Sequence, residues 1–403
     1  VSAFEDADFS WMKEAAPSRI MYHLNRTGTS RYVGGCVRDS LLGFPPGHQG
    51  RTDIDIATTL LPEDVMEVLS EADIRHIPTG IEHGTITAVI DRIPYEITTL
   101  RADVATDGRR AVVAFTEDWE EDAGRRDFTI NALYLSKDGT IHDYHGGQDD
   151  LTEGRVRFIG DAEARIREDY LRILRFLRFS TRFARDLDED GWAACVKLKD
   201  GIDHLSRERI WNEISRLFHA KRSPLALRKA AKASVLSHIC PSRADPEIYD
   251  RLHEAIGHPM SSAEGLASLW PEAARETFQT AFKPANATLD EVDILRRTVK
   301  DVIEEIPPQF LLYRHGREMS EKGCHLAGAM QARPVDKDYF HEVMTLPVPH
   351  FPLKGADFVA HGVPKGPKVG AAQQYFEKAW IAAGFPDDQE TIDHLMAAAA
   401  RSV

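Results

Sequence analysis

The sequence predicts a mixed α/β N-terminal part followed by an all-helical remainder, and three observations carry this reading. Period-two apolar patterns fall within the first 150 residues, whereas helical apolar spacing dominates from about Ala162 onward. A Gly-Gly turn between a strand pattern and a helix pattern is followed closely by a strand with alternating carboxylates. With 403 residues, 42% of them hydrophobic, the chain can bury a substantial core and form more than one domain.

In order, Arg31-Tyr32-Val33 reads as a strand running into Gly34-Gly35, and residues 38–42 as a short helix. Residues 54–57 read as the next strand, 62–72 as a helix, and 85–90 and 94–99 as alternating strands. Residues 101–123 form a polar stretch whose acidic end, 117–122, reads as a solvated loop. Beyond it, Leu171/Leu174/Leu177, Ile210/Ile214/Leu217 and residues 225–236 keep helical spacing, with breaks near Pro241, Pro284, Pro307-Pro308 and 347–352. The expected division is 1–150, 151–220 and 221–403.

A net charge of −14 argues against indiscriminate coating of nucleic acid, since phosphate repels a negative surface. Yet residues 155–185 carry nine arginines against four acids, a belt suited to a localised phosphate site. No apolar run approaches the ~18 residues that span a bilayer, and the polar, acidic start has no signal-peptide pattern. Cys36, Cys195, Cys240 and Cys324 lack zinc or redox spacing, so they are expected reduced, in a cytoplasmic protein.

Gly34 and Gly35 place backbone N–H groups and a helix N-terminus where they can face a phosphate. On the strand Thr52-Asp53-Ile54-Asp55-Ile56, Asp53 and Asp55 point the same way while the isoleucines enter the core. Two hard oxygen ligands on one face suit Mg²⁺ carrying a substrate phosphate. A tight turn and a solvated edge explain either signal singly; their order points to metal-assisted nucleotide transfer.

Asp122-Ala123-Gly124-Arg125-Arg126-Asp127 precedes Phe128-Thr129-Ile130-Asn131-Ala132-Leu133, so Arg126 can set a planar fork on a triphosphate. The alternative is a surface salt bridge with Asp127 capping a helix. In Glu168-Asp169-Tyr170-Leu171-Arg172, Asp169 and Arg172 would share a helix face, with Arg175 and Arg178 continuing the row. A carboxylate accepting from an exocyclic amine and a guanidinium donating to the ring can read a base edge; an ordinary ion pair explains the spacing equally.

Gly-Gly-x-Val-Arg-Asp, Asp-x-Asp, Arg-Arg-Asp-Phe-Thr-Ile-Asn-Ala-Leu and Glu-Asp-x-Leu-Arg-x-x-Arg-x-x-Arg-Phe occur in that order over roughly residues 31–183. Together they resemble the class II tRNA nucleotidyltransferase (CCA-adding) and bacterial poly(A) polymerase family. The resemblance implies a polymerase-beta-like nucleotidyltransferase head followed by an all-α neck, body and tail. It also implies two Mg²⁺ ions held by Asp53 and Asp55, and in-line attack of an RNA 3′-hydroxyl on the nucleotide α-phosphate, with pyrophosphate leaving. Carried over residue by residue, Gly35 and Arg38, with Gly34 in the same turn, would meet the triphosphate. Arg126 would meet the nucleotide, Asp169 and Arg172 the base edge, and Arg175 and Arg178 the phosphates or the neck framework. Glu96, on the strand expected beside the acid pair, is the candidate third catalytic carboxylate, with Asp127 competing and pairing with Arg101 as its structural alternative.

Within the family, residues 78–89 look like the segment after the acid pair in CCA-adding enzymes, and no basic Gly-Arg-Arg-Phe-like segment typical of poly(A) polymerases stands there. The stretch 101–123 looks like the family's flexible loop, which accompanies addition of the final A. Glycines and lysines over 353–370, ahead of a helix from Ala371, look like a tail contact with tRNA, although a plain connection between helices explains them as well. The expected function is therefore CCA addition to the tRNA 3′ end from CTP and ATP. Poly(A) synthesis, CC-only or A-only addition, and a catalytically silent RNA-binding relative are the alternatives.

Overall fold

The computed structural model describes residues 4–47, 53–106 and 111–403. Its strands are β1 (Ser30–Val33), β2 (Asp55–Thr58), β3 (Arg75–Gly80), β4 (Thr85–Ile90), β5 (Ile93–Thr99), β6 (Arg101–Thr106), β7 (Ala111–Phe115), β8 (Leu133–Leu135) and β9 (Ile141–Asp143). Seven of them form one sheet in the order β3-β4-β5-β2-β1-β8-β9, and β6 pairs with β7 separately. Within the large sheet β2 and β5 run parallel and the other neighbours antiparallel. The β4 strand follows the alternating run Thr85-Ile86-Thr87-Ala88-Val89-Ile90 end to end, and Ile86 and Ala88 are fully buried.

The Pro62–Glu71 helix starts with Pro at its first turn and Glu63 and Asp64 beside its N-terminus, where a fixed φ and negative charge are both favourable. It and the Ala15–Thr27 helix pack on the sheet and on each other. Val33, Ala57, Leu100, Ala123, Ala132, Tyr134 and Ile159 form one core cluster of this part. Next to it the rings of Phe128, Phe158 and Phe176 meet at centroid distances of 5.0 and 5.3 Å, pinning the Leu171–Phe183 helix to the sheet part.

After β9 the described residues form helices and turns, with an isolated bridge from Phe158 back to Phe128. Two compact units emerge, 1–241 and 242–403, divided at the proline break at Pro241. The expected segments 1–150 and 151–220 thus share one unit. The second unit contains an aromatic core of Phe358, Phe376 and Trp380 with Met396. No described helix is long and apolar enough to cross a membrane. All four cysteines are buried thiols.

Several local expectations change. The short helix expected over 38–42 starts earlier, at Gly35, and ends at Leu41. The acid-pair strand begins at Asp55, so Asp53 precedes it, because β1 ends at Val33 opposite Asp55 and offers no ladder partner further out. Exposure still alternates: Asp53 and Asp55 face out, Ile54 and Ile56 are buried. Thr52 and residues 107–110 lie outside the described residues. The polar stretch 101–123 is not a loop throughout: β6 and β7 pair from Arg101↔Phe115 inward, and a helix spans Trp119–Gly124. The helix expected from Ala371 starts at Pro367, after Gly366 at φ +117°.

Candidate active site

The register builds the site. Val33 lies opposite Asp55 on β2, and Asp55 lies opposite Glu96 on β5, so one row across three strands carries the end of β1 and both carboxylates. Because residues in register share a face, Asp55 and Glu96 project on the same side, and both are exposed. Gly34 follows Val33 at φ +74°, ψ −122°, a conformation that suits glycine alone, and turns the chain into the Gly35–Leu41 helix. Its own N–H is used in the sheet, donating to the Leu133 carbonyl at 3.1 Å. Groups left for an anion therefore belong to the first turn of the helix, whose N–H groups lack partners within it.

Although part of the Asp55 side chain reaches solvent, the protein packed around its carboxyl desolvates it and raises it, and the negative charges of Glu96 and Asp53 add to this against the opposing pull of Arg126, bringing it up to about 6. An acid held this high by desolvation and by neighbouring acids is a place where a cation is favourable. Among the described residues no three or more His, Cys, Asp or Glu side chains converge as a closed metal cage. Asp53 and Asp55 are the residues here that could hold Mg²⁺, an ion commonly bound by one or two carboxylates with substrate phosphate completing the sphere.

Arg126 borders the same turn: a Cβ on Gly34 would lie 3.9 Å from its Nη1. Its other nitrogens donate to Tyr134 Oη and Asp122 Oδ2, each at 3.2 Å. Burial alone would lower its pKa, but Tyr134 and Asp122 outweigh this and raise it. Asp122 is fully buried and also takes Arg125 at 2.7 Å and the Tyr134 hydroxyl at 2.7 Å. The end of the acidic run is thus the anchor of the arginine pair, and the salt bridge runs to Asp122, not Asp127.

Arg38 is 5% exposed; its guanidinium donates to Asp39 and Asn131 and stacks 4.2 Å from the Phe183 ring. It supports the turn from inside the protein. Asp127, the competitor to Glu96, is buried and accepts from Asn131 at 3.0 Å and Arg175 at 2.7 Å, whereas Glu96 stays at the exposed row. Arg101 donates to the His83 carbonyl at 2.8 Å.

Asp169 and Arg172 do not share a helix. The Ala162–Glu168 helix ends at Asp169, whose φ −155°, ψ 104° is extended, and the next helix starts at Leu171. Asp169 Oδ1 accepts from the Leu171 N–H at 3.1 Å, and Oδ2 accepts from Arg209 at 2.6 Å. A short polar side chain that bonds the following backbone competes with the helix at this point. Arg172 pairs instead with Glu168 at 2.6 Å and donates to the carbonyls of Arg165 and Arg125. Arg175 joins Asp127, Arg178 joins Glu213, and both guanidinium groups lie over Phe179. Sequence reasoning missed Arg209 and Glu213; their spacing of four in the Arg207–Phe218 helix was the available signal, overshadowed by the apolar Ile210/Ile214/Leu217 stripe.

Residues 30–157 match the model of the poly A polymerase head domain, and residues 186–245 that of the probable RNA and SrmB-binding site of polymerase A. The mitochondrial CCA tRNA nucleotidyltransferase 1 of Mus musculus is 32% identical over 90% of this chain and 85% of its own. Its Homo sapiens counterpart is 34% identical over the same shares. The Bacillus stearothermophilus CCA-adding enzyme, solved in complex with CTP, superposes with a TM-score of 0.75 at 29% identity, covering 94% of this chain and 95% of that one. The Thermotoga maritima CCA-adding enzyme, solved with tRNA, shares the fold at a TM-score of 0.69 and 17% identity over 98% and 97% of the two chains. With the motif order, the sheet register and these similarities together, the chain belongs to the family of CCA-adding tRNA nucleotidyltransferases and bacterial poly(A) polymerases.

Proposed function

We propose that this nucleotidyltransferase adds C, C and A in turn to the 3′ end of tRNA, using CTP and ATP and no nucleic-acid template. The observation that carries this is the row Glu96, Asp55, Val33, which leads into the Gly34 turn with Arg126 at its border. That arrangement gathers acids for a cation and a fixed guanidinium for phosphates at one exposed edge, which a pure RNA-binding module has no use for.

Asp53 and Asp55 would hold Mg²⁺, with Glu96 as the third carboxylate. When bound, such ions lower the pKa of the attacking 3′-hydroxyl and offset charge on the leaving phosphates. Arg126, already oriented by Asp122 and Tyr134, presents its remaining nitrogen to the nucleotide without having to be ordered on binding. The helix that starts at Gly35 follows that turn directly, so the N–H groups of its first turn would serve a phosphate bound there.

Asp169 and Arg172 would read the base edge, each held by protein groups before the nucleotide arrives. Arg175 and Arg178, engaged by Asp127 and Glu213, serve as framework that joins the Leu171–Phe183 helix to its neighbours. Cytoplasmic placement belongs to this reading; the mammalian relatives carry "mitochondrial" in their names, so the family works in more than one compartment.

Incorporation of labelled CTP and ATP with Mg²⁺, into tRNA ending before CCA, into tRNA ending in CC and into oligo(A), tests the proposal. Addition of C, C and A that then stops is the expected result. A added only after CC would make the protein an A-adding specialist, and long A tails on oligo(A) would make it a poly(A) polymerase. RNA binding with no incorporation would place it among silent relatives.

A further inference from the structure

Tyr170 stands between the two proposed base-reading residues, and its ring rests on the one residue type that leaves it room. A Cβ built on Gly201 would lie 1.9 Å from Tyr170 Cδ1, 2.2 Å from Cε1 and 2.3 Å from Cγ. These separations are far inside van der Waals contact and involve the near side of a ring, so either the ring or the turn below must move. Gly201 cannot easily yield. It is buried in the turn Lys199–His204, its N–H donates to the Leu198 carbonyl at 3.0 Å, and the adjacent Ile202 is fully buried. Lys199 further ties this turn to the Ala233 carbonyl at 2.7 Å.

Movement of Tyr170 is transmitted along the backbone in both directions. Its carbonyl accepts the Ile173 N–H at 3.1 Å, and the Asp169 carbonyl accepts the Arg172 N–H at 3.0 Å, so residues 169–173 form one hydrogen-bonded start of the Leu171–Phe183 helix. Asp169 additionally spends one carboxylate oxygen on the Leu171 N–H at 3.1 Å. Displacing the ring therefore tilts the segment that carries both side chains. Gly201 itself lies some thirty positions further along and belongs to none of the recognised motifs.

We propose that Gly201 is a positioning residue for nucleotide choice: its missing side chain forms the seat for Tyr170, and the seated ring fixes Asp169 and Arg172 relative to the incoming base. The inference rests on the base-reading role assigned above to Asp169 and Arg172. Its specific content is that glycine at 201 controls selectivity through the Tyr170 ring, not through general stability.

The test uses the full-length protein and four variants: Gly201→Ala, Tyr170→Ala, their double substitution, and Asp169→Ala. For each, kcat and KM are measured separately for CTP and ATP on tRNA ending before CCA and on tRNA ending in CC, alongside thermal unfolding. For Gly201→Ala the ratio of kcat/KM for the correct over the wrong nucleotide is expected to fall about tenfold to a hundredfold, carried by both constants, with tRNA KM little changed. Tyr170→Ala should lose selectivity similarly, and adding Gly201→Ala to it should change the ratio little further, because the clashing ring is gone. Unchanged selectivity in a folded Gly201→Ala protein, or an equal further loss when it is added to Tyr170→Ala, overturns the proposal. Should Gly201→Ala alone fail to fold, the Tyr170→Ala pair still decides it. Unchanged selectivity in Asp169→Ala, in contrast, removes the base-reading role itself, so the two failures are distinguishable.

Discussion

Asp55 and Glu96 are register partners in the parallel pairing of β2 with β5. Glu96 is the largest electrostatic reason, after burial, that the Asp55 carboxyl stands up to about 6. Two acids fixed this way repel each other unless a cation is shared. Replacement of Asp53 or Asp55 by Ala should abolish nucleotide incorporation, a loss of about a thousandfold or more, while tRNA affinity by gel shift stays close to that of the parent. Glu96→Gln should lose activity of the same order, whereas Asp127→Asn should act chiefly through stability, since Asp127 is buried against Arg175 and Asn131. Normal turnover in Asp55→Ala would remove the metal assignment.

The same carboxyl gives a prediction about stability without metal. Its folded-state value is raised from 3.8 to about 6, so ionising it opposes folding: the cost is absent below the unfolded value, grows as pH rises through that window, and is complete above it. In EDTA at pH 8, Asp55→Asn should therefore unfold at a higher temperature than the parent, and the difference should vanish near pH 3.5. Added Mg²⁺ should raise the parent's Tm and leave that of Asp55→Asn nearly unchanged. A lower Tm for Asp55→Asn in EDTA at pH 8 contradicts the electrostatic account.

Asp122 behaves oppositely. Burial works to raise its carboxyl, but Arg126, Arg125 and the Tyr134 hydroxyl prevail and hold it down to about 2. Its contribution is fully present above the ordinary value of 3.8 and is lost as pH falls from there toward 2. Asp122→Ala leaves two guanidinium groups without their acid and should cost about 3–5 kcal/mol in urea unfolding at pH 7. The difference from the parent should shrink as unfolding is repeated at lower pH. An equal difference at pH 7 and pH 3 would show that packing, not charge, is what the substitution removes.

How far the sequence revealed this depends on the range of each signal. Alternation within β4 and β5 and the turn at Gly34 are local, and residues 85–90 were legible to the residue. The row of Val33, Asp55 and Glu96 needed the pairing of strands about twenty and about forty residues apart, of which only the side-by-side placement of Glu96 was foreseeable. The β6–β7 ribbon was hidden because β6 mixes the polar Arg101, Asp103 and Thr106 with small apolar residues, and the buried Asp122 because an acidic run ordinarily faces water. At Asp169 the spacing argument failed for a physical reason: a helical period of three residues holds only while the backbone is helical, and Asp169 bonds the Leu171 N–H instead.

Arg209 is the residue that this break brings into play. Its Nη2 donates to Asp169 Oδ2 at 2.6 Å from a helix forty residues downstream, and both side chains are substantially solvent-exposed, 46% and 33%. An ion pair so exposed contributes only ~0.2–1 kcal/mol to stability, so Arg209→Gln should unfold within a degree or two of the parent. Its larger effect should fall on Asp169, which then loses the partner that orients its second oxygen and rotates more freely. Selectivity between CTP and ATP should drop several-fold, less than in Asp169→Ala, and Arg209→Lys should restore part of it by keeping the charge without the planar fork. Steady-state kinetics with each nucleotide on tRNA ending before CCA measure this directly. A selectivity equal to the parent's in Arg209→Gln would mean that the Leu171 N–H alone orients Asp169.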